Sequence, residues 1–587
     1  MPAKIDNWDS FEESYTYVQL SKDASPKELS AILGQVSALI NNSSKSGSFS
    51  FSIQELNNIT PSWLYLINDI GGGIGWSKIW AEIGIALLIL VAACFNYTNL
   101  TIARALTRAK EVGIRKVSGA VRHQVFMQYI IESVVIALFA LALAGVFLQL
   151  ILTYKPFNDG YEMVPDLQPG ISIFLWFMLF AVVTGAIAGA APAWILSAFK
   201  PVQVLKNIST HKLFGNISLQ KALIVFQFSL SLVIIIFLSS FYRQFSYMGV
   251  AEHGFNKDNI LSISLNGADA KLLSAEAAGI AGVDNLTAVS GNFGRQATGI
   301  MYASPDKAHD YSIQLNYYFS DAGLIPTMGL KVVAGNNFPA NTANDRERYI
   351  LLNEKAVQAF KFSNNHDAVG KLIWLSDTTQ VQVAGVIKDF YHAGVGRSIA
   401  PLAIRQLDGT YNFLNVYVND PDKDAIAGRM AAAWKKVNPG KPFNYSWLGR
   451  DIYEMNAQTA TMSLLGFLAF MAIAIASLGL LGLVIYTVET RRKEISIRKV
   501  IGASVQTLMV LLSGGFIKLL FIAGLIAMPT GYVLSVFFLQ NFANRVPLGF
   551  GWVALCFMLL LVIGLVTILS QTYKASVANP VEHLKSE

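Results

Sequence analysis

Long apolar runs, each bounded by polar or charged residues, divide this chain into alternating regions. Seven of them approach the roughly 20 residues that an α-helix needs to cross the hydrocarbon core of a bilayer. The sixth is long enough to include a flanking interfacial segment. The seven runs are residues 79–100, 127–152, 171–196, 222–245, 462–488, 507–540 and 550–572. The pattern therefore predicts a polytopic α-helical membrane protein.

A long polar region separates the fourth apolar run from the fifth. Residues 247–460 contain nineteen basic and twenty acidic side chains, a balance typical of a soluble domain. Strand-like runs such as "YILLNEKAV" and "QVQVAGVIKDF" alternate there with polar turns and short helical stretches. We expect a mixed α/β domain in this region.

The distribution of charge orients the chain in the membrane. Only 14% of the 587 residues are charged and the net charge is +7, whereas about 25% of a soluble protein is charged. Residues 101–125, 197–222 and 489–505 hold fifteen Lys or Arg against three acids. Short basic loops mark the cytoplasmic side, so we place 247–460 outside. The excess positive charge is thus explained by the orientation of the chain in the membrane, and we expect no nucleic acid partner.

The chemically reactive side chains form no catalytic or metal-binding constellation. Cys94 and Cys556 both lie within predicted spans, and the seven histidines are scattered. Asp389 and His392 lie three residues apart in "KDFYH" without a third group, so we assign them a structural role. The glycine-rich "GGGIGWSK" at 71–78 lacks the spacing of a phosphate-binding loop. We expect no catalytic residue, no metal site, no cofactor and no enzyme activity in this chain.

The chain contains an internal duplication. "KEVGIRKVSGA" at 110–120 returns 383 residues later as "KEISIRKVIGA" at 493–503. Both copies share I-R-K-V-x-G-A, and each is followed by two apolar runs and a P-V-x-x-L-K tail, at 201–206 and 580–585. We call these two copies the first and second elbow. Each half of the protein therefore repeats one unit of elbow, two spans and tail.

The residues before the first span resemble the end of the polar region. "YVQLSKDASPKELSAIL" predicts a strand, a turn at Pro26 and a helix, as does "VYVNDPDKDAIAGRMAA" around Pro421. "FSIQELNNI" at 51–59 likewise matches "YSWLGRDIY" at 445–453. The acidic amino terminus has no signal-peptide pattern. We expect an amino-terminally truncated gene product, whose first unit lacks its opening span and most of its outer domain.

The duplicated stretches resemble a known family. "ACFNYTNLTIARALTRAKEVGIRKVSGA" and "LGLLGLVIYTVETRRKEISIRKVIGA" are similar to the signature of the FtsX-like and MacB-like permeases of ABC transporters. "ILLNEKAVQAF", "AVGKLIW" and "VAGVIKDFYHAGV" resemble the periplasmic core domain of that family, and "KALIVFQFSLSLVIIIF" resembles its opening helix. The layout is most similar to the two-unit permeases of Bacteroidetes.

The resemblance implies a multi-pass protein of the bacterial inner (plasma) membrane, with an extracytoplasmic α/β domain of the MacB type. It implies five segments. These are the tail of a first extracytoplasmic domain (1–76), a first FtsX-like unit of three spans (77–206), an opening helix (207–246), the MacB-like periplasmic core domain (247–460) and a second FtsX-like unit of three spans (461–587).

Each elbow is a candidate functional site. Glu111 with Arg115, and Glu494 with Arg498, have the i, i+4 spacing of helix-supporting ion pairs. A glycine at the end of each elbow allows a tight turn into the next span. In the resembled family such elbows contact the ATP-hydrolysing subunit. The docking residues implied are Glu111, Arg115, Lys116, Gly119, Glu494, Arg498, Lys499 and Gly502. Simple topology anchors would not explain the identical motif in both copies.

The function implied is that of an ABC permease subunit with two separate cytoplasmic ATPase subunits as partners. The resemblance further implies contact with membrane lipid and with an extracytoplasmic or outer-membrane protein. The implied substrates are peptides, drugs such as macrolides, or lipoproteins. One alternative is a non-transporting regulator that activates an extracytoplasmic cell-wall hydrolase. A secondary transporter would need paired ionisable groups at mid-membrane, which these nearly charge-free spans lack. An outer-facing membrane enzyme lacks a catalytic constellation.

Overall fold

The structure, a computed structural model, describes residues 16–21, 23–43, 49–62, 75–107, 109–154, 170–198, 217–294, 297–307, 311–339, 347–376, 378–457 and 459–577. Seven helices in this part of the chain are long and apolar enough to cross a membrane, which confirms the predicted number. Both P-V-x-x-L-K tails and residues 71–74 of the glycine-rich stretch lie outside the described residues.

The first part of the chain is helical. Its helices are α1 (Pro26–Ser43), α2 (Trp76–Thr107), α3 (Ala109–Val117), α4 (Arg122–Tyr154), α5 (Ile171–Ser197) and α6 (Ile217–Val250). The first elbow thus becomes α3, a separate short helix between two membrane-spanning helices.

The polar region folds as the predicted mixed α/β domain. Its elements in order are β1 (Ile260–Ser264), α7 (Ala270–Ala278), β2 (Val283–Val289), β3 (Gly299–Ala303), β4 (Ile313–Phe319), α8 (Leu324–Met328), β5 (Val332–Gly335), β6 (Tyr349–Asn353), α9 (Glu354–Ala359), α10 (Asn365–Ala368), β7 (Leu372–Trp374), β8 (Gln380–Ile387), β9 (Leu402–Arg405), β10 (Phe413–Val418), α11 (Lys423–Val437), β11 (Tyr445–Trp447) and α12 (Leu448–Ala457).

Two sheets organise this domain. An antiparallel four-stranded sheet has the order β11–β1–β10–β2. A seven-stranded sheet has the order β3–β4–β9–β6–β8–β5, with β7 also paired to β8. It is mixed, because β4 pairs with β9, and β6 with β8, in parallel. Burial alternates along the first half of β8, as expected for a strand with one covered face.

The predicted strand near the amino terminus is wrong. Helix α1 forms as expected, but residues 16–21 are irregular. Their counterpart β10 is hydrogen-bonded to β1 on one side and β2 on the other. No strand is present among the described residues before α2, so this segment has no ladder to complete its backbone hydrogen bonds. Residues 51–59 likewise form only a 3₁₀ turn at Leu56–Asn58.

The last part of the chain repeats the helical layout of the first. Helix α13 (Thr459–Thr490) leads to the second elbow, α14 (Arg492–Val500), which is followed by α15 (Val505–Leu539) and α16 (Phe550–Val577). The sixth span is one continuous helix of 35 residues. Helices α6, α13, α15 and α16 share a core of large aliphatic and aromatic side chains that includes Ile224, Phe228, Ile236, Leu480 and Leu520.

Contacts divide the molecule into two compact units. The outer unit takes in Phe245–Ala457 and the short stretch Phe542–Arg545, with the described residues up to Ile79. The membrane unit takes in Trp80–Gln244, Gln458–Asn541 and the described residues from Val546 onward. Both elbows belong to the membrane unit.

Candidate functional site

A glycine turn ends the first elbow. The amide of Ala120 donates to the carbonyl of Arg115 at 3.0 Å, and the amide of Gly119 donates to Lys116 at 3.2 Å. Gly119 has φ +101°, a left-handed conformation that glycine adopts without the penalty of a Cβ. These two nested hydrogen bonds form a Schellman motif, which fixes the direction in which the chain leaves α3 for α4.

The second elbow ends with the same motif. The amide of Ala503 donates to the carbonyl of Arg498 at 2.9 Å, and the amide of Gly502 donates to Lys499 at 3.1 Å. Gly502 has φ +98°. The side-chain oxygen of Ser504 then accepts the amide of Thr507 and caps α15. The shared sequence therefore produces one local backbone geometry in both halves.

The acid–arginine pairs lie on the surfaces of the elbows. Arg115 Nη2 is 2.6 Å from Glu111 Oε1, and Arg498 Nη2 is 2.8 Å from Glu494 Oε1. All four side chains are about half exposed, and water screens ion pairs in such positions. Each of the two pairs therefore stabilises its helix by only about 0.3 kcal/mol. Arg115 also donates to Gln128 of α4 at 2.8 Å. The two arginines therefore present charge at the surface.

The lysines have a different position from the arginines beside them. Lys116 Nζ donates to the carbonyl of Ser197 at 2.6 Å, and Lys499 Nζ donates to those of Ser576 at 2.9 Å and Val577 at 3.0 Å. These carbonyls end α5 and α16, where a helix carries partial negative charge. Partial burial, and secondarily the charge of Arg122, lower the pKa of Lys116. Each lysine thus ties its elbow to the last helix of its own half.

Sequence reasoning missed an apolar feature of both elbows. Ile114 and Val117 are 57% and 64% exposed, and their equivalents Ile497 and Val500 are 52% and 67% exposed. Residues three apart lie on one face of a helix, so each elbow presents an aliphatic pair. The isoleucine and valine of the I-R-K-V motif could have indicated this aliphatic pair, but we interpreted the motif only through its arginine and lysine.

Asp389 and His392, the pair in "KDFYH", have separate structural partners. Asp389 Oδ1 accepts the amide of Lys355 at 3.0 Å, at the start of α9. His392 is buried in the outer unit, with Nε2 3.1 Å from Asn316 Nδ2, and burial lowers its pKa to about 4. A neutral, enclosed imidazole beside an aromatic core serves the fold of this domain.

Two protein-family models match the chain. The model described as FtsX-like permease C-terminal matches twice, at residues 83–201 and 466–580, which confirms the internal duplication. The model described as MacB-like periplasmic core domain matches residues 222–433. Each copy of the first model contains one elbow.

Individual relatives match over shorter stretches. The chain is 31% identical over 125 residues to the macrolide export ATP-binding/permease protein MacB of Pasteurella multocida (strain Pm70), covering 21% of this chain and 18% of that protein. It is 28% identical over 150 residues to the uncharacterized ABC transporter permease YknZ of Bacillus subtilis (strain 168), covering 24% of this chain and 35% of that one. The chain thus spans about a third or less of the length of these relatives.

Solved structures of two extracytoplasmic domains are also similar. The extracellular domain of YknZ from Gram-positive bacteria matches with a TM-score of 0.25 at 15% identity, over 32% of this chain and 98% of that one. The periplasmic region of MacB from Actinobacillus actinomycetemcomitans matches with a TM-score of 0.26 at 13% identity, over 34% of this chain and 92% of that one.

The two family models match different parts of the fold. The permease model matches the two helical halves, and the periplasmic model matches the region between them. The seven long apolar helices fit a multi-pass protein of the inner membrane. This chain belongs to the FtsX-like permease family of ABC transporters, a family of membrane permeases and not itself of enzymes, and it carries the permease unit twice and a MacB-like periplasmic core domain once.

Proposed function

We propose that this chain is a permease subunit that couples ATP hydrolysis by a separate cytoplasmic ATPase to a change in its extracytoplasmic domain. The name of the P. multocida relative joins ATP binding and permease in one protein. The sequence contains no G-x-x-x-x-G-K-[ST] spacing, and our proposal assigns ATP hydrolysis to a separate chain. The substrate class would be a peptide, a drug or a lipoprotein, exported or extracted on the outer side.

The proposed organisation keeps five segments. Residues 1–76 would be the tail of a first outer domain, 77–206 the first permease unit and 207–246 the helix that opens the second. Residues 247–460 would be the periplasmic core domain and 461–587 the second permease unit. The family-model matches lie within these limits apart from the first residues of the core-domain model, which begins at residue 222 in the opening helix.

The exposed aliphatic pairs carry the docking proposal. Ile114 with Val117, and Ile497 with Val500, occur in the same register of two elbows of the same backbone geometry. An exposed aliphatic pair on a short helix gains free energy when a partner covers it, at about 25 cal/mol per Å² of apolar surface. Two equivalent pairs fit two copies of one ATPase, each with an apolar cleft. The arginines would then border the contact.

The elbow also has the connections needed to pass on a displacement. Its glycine turn joins it to α4 or α15, and its lysine binds the carboxyl end of α5 or α16. A push on one elbow would therefore reach the three helices of that half together. Rigid elements joined by short contacts are the kind of path along which such coupling travels.

Replacing the aliphatic pairs tests this proposal. We expect the Ile114→Ser, Val117→Ser, Ile497→Ser, Val500→Ser variant to lose the ATPase during affinity purification in mild detergent. Two aliphatic side chains contribute roughly 3 kcal/mol if an interface buries them fully, which is about a hundredfold in affinity. Mass spectrometry of the co-purified chains measures the loss.

The matched control is Ile171→Ser with Phe550→Ser. These exposed apolar residues begin α5 and α16, at the far ends of the same helical hairpins. The control should retain the ATPase. Undiminished recovery of the ATPase with the four-site variant would contradict docking through these pairs and would leave the elbows as topology anchors.

A further inference from the structure

Helices α2 and α13 cross at equivalent positions of the two halves. Asn96 and Gly479 are separated by the same 383 residues as the two elbows. A Cβ placed on Gly479 would lie 3.2 Å from Asn96 Oδ1, and one on Gly482 would lie 2.8 Å from Leu100 Cδ1. The close approach of the helices therefore depends on two glycines in α13 that face larger residues of α2.

Helix α6 also reaches this crossing. A Cβ on Gly479 would lie 2.8 Å from Gln227 Oε1. Gln227 is more than nine-tenths buried, and its Nε2 donates to the carbonyl of Ile475 at 2.9 Å. Its Oε1 has no hydrogen-bond partner among the described residues. A buried amide oxygen is thus directed at the glycine where the two halves meet.

Asn99 is a second incompletely bonded amide on α2. It is more than nine-tenths buried, and neither Oδ1 nor Nδ2 has a hydrogen-bond partner within the described chain. It lies three residues after Asn96, a rise of roughly 4.5 Å along the helix. Buried polar groups in a membrane-spanning segment cost free energy unless they are paired, and they tend to have functional roles.

We propose that α2 moves along α13 by about one helical turn during the transport cycle, so that Asn99 replaces Asn96 beside Gly479 and Gln227. In the shifted register Asn99 Nδ2 donates to Gln227 Oε1, which gives each of these two buried atoms a hydrogen-bond partner. Gly479 has no side chain to obstruct the exchange. One-turn shifts of packed helices are an established form of switching.

The first elbow supplies the connection to the motor. Helix α3 follows α2 directly in the chain, so a displacement of this elbow is passed to the end of α2. The shift rests on the proposed function, because ATP hydrolysis by the docked ATPase would drive it. The crossing itself does not depend on the ATPase.

Distances between spin labels test the shift without changing the residues at the crossing. In a Cys94→Ala, Cys556→Ala background, nitroxide labels are attached at Leu87→Cys of α2 and Ile485→Cys of α13, two exposed positions. These positions lie at opposite ends of the crossing, so a movement of α2 along α13 changes the distance between the labels by most of the shift, about 4.5 Å. The control pair, Phe470→Cys with Ile485→Cys, lies entirely within α13 and is also exposed. Pulsed electron double resonance measures both distances in the detergent-solubilised complex with its co-purified ATPase, with and without Mg-ATP and vanadate.

Vanadate trapping should lengthen the distance between the Leu87 and Ile485 labels by about 4 Å, because Asn99 follows Asn96 toward the elbow and α2 must move away from that end. The control distance within α13 should not change. Asn99→Leu should abolish the lengthening, because the shifted register then gains no hydrogen bond to Gln227. An unchanged distance in preparations that hydrolyse ATP, or a lengthening that persists in Asn99→Leu, would overturn the shift. If no ATPase co-purifies, the proposed function fails and the shift, which depends on it, is withdrawn, while the crossing stands.

Discussion

The second helices of the two halves are buried to different extents, although the same family model matches both halves. Helix α4 buries three of its 33 residues, Val125, Tyr129 and Ser133. Its counterpart α15 has 35 residues and buries eleven, which include Leu512, Phe516 and Leu520. Helix α4 is thus largely exposed, whereas α15 lies within a multi-helix core.

Residue size explains how both hairpins are held together. In the first half, Gly185 and Gly189 of α5 let its backbone approach α4 closely at Ser133 and Val134, as small residues do in membrane helix pairs. In the second half, α6 adds Phe228 and Ile236 to a core shared with α15 and α16. The first hairpin therefore depends on close backbone contact and the second on burial of large side chains.

The elbows are alike despite these different surroundings. Each has a glycine turn, a surface ion pair and a lysine that binds the last helix of its half. None of these contacts uses α6. The comparison teaches that elbow geometry is set by its own sequence and by the hairpin beside it, and does not require a large core around the hairpin.

The largest effect should come from filling the close contact of the first hairpin. A Cβ on Gly189 would lie 2.6 Å from Ser133 Cβ, and Ser133 Oγ bonds to Tyr129 and Tyr97 at 2.8 Å each. Gly189→Val should destabilise the protein by about 4 kcal/mol or more, because the helices must separate. Thermal unfolding in mild detergent measures this.

Gly145→Val is the control, since no heavy atom lies within 4 Å of a Cβ at that position of α4. It should leave the midpoint of unfolding nearly unchanged. Equal tolerance of both substitutions would show that close backbone contact does not hold the first hairpin.

The second prediction compares the two kinds of packing directly. Leu520→Ala removes a buried side chain from the core around α6 and should cost about 3 kcal/mol, through lost burial and the cavity left behind. Leu143→Ala removes an exposed side chain of α4 and should cost less than about 0.5 kcal/mol. Chemical denaturation in detergent gives both values, and similar costs would remove the contrast between the two halves.

The smallest loss of stability should come from replacing the lysine of each elbow, which tests whether the two elbows are held in the same way. Lys116→Gln and Lys499→Gln should each loosen the tie between elbow and helix end by about 1 kcal/mol, because each loses a charged donor to carbonyl groups. Amide hydrogen exchange in α3 and α14 should rise to a similar extent in the two variants. The control is Lys435→Gln, an exposed lysine of α11, which should change neither elbow. A rise in only one elbow would mean that the core around α6 contributes to elbow stability.

Much of the architecture was predictable because it depends on short stretches of sequence. Run length and hydropathy gave seven spans and a mixed α/β domain between the fourth and fifth. The elbow turns follow from a glycine at a fixed distance from a helix end. The strand expected before the turn at Pro26 did not form, since a strand needs hydrogen-bonded neighbours from elsewhere in the chain.

The sequence by itself determined the membrane spans, the duplication and the turn that ends each elbow, because hydropathy, repetition and backbone preference are local properties. Only the tertiary structure decided that Lys116 and Lys499 bind helix ends while Ile114, Val117, Ile497 and Val500 stay exposed. It also decided that Asn96 and Gln227 meet at Gly479. Lys116 and Lys499 bind carbonyl groups 81 and 77 residues away, and Gln227 binds that of Ile475, 248 residues away. Only the packing of helices against one another brings such distant residues together.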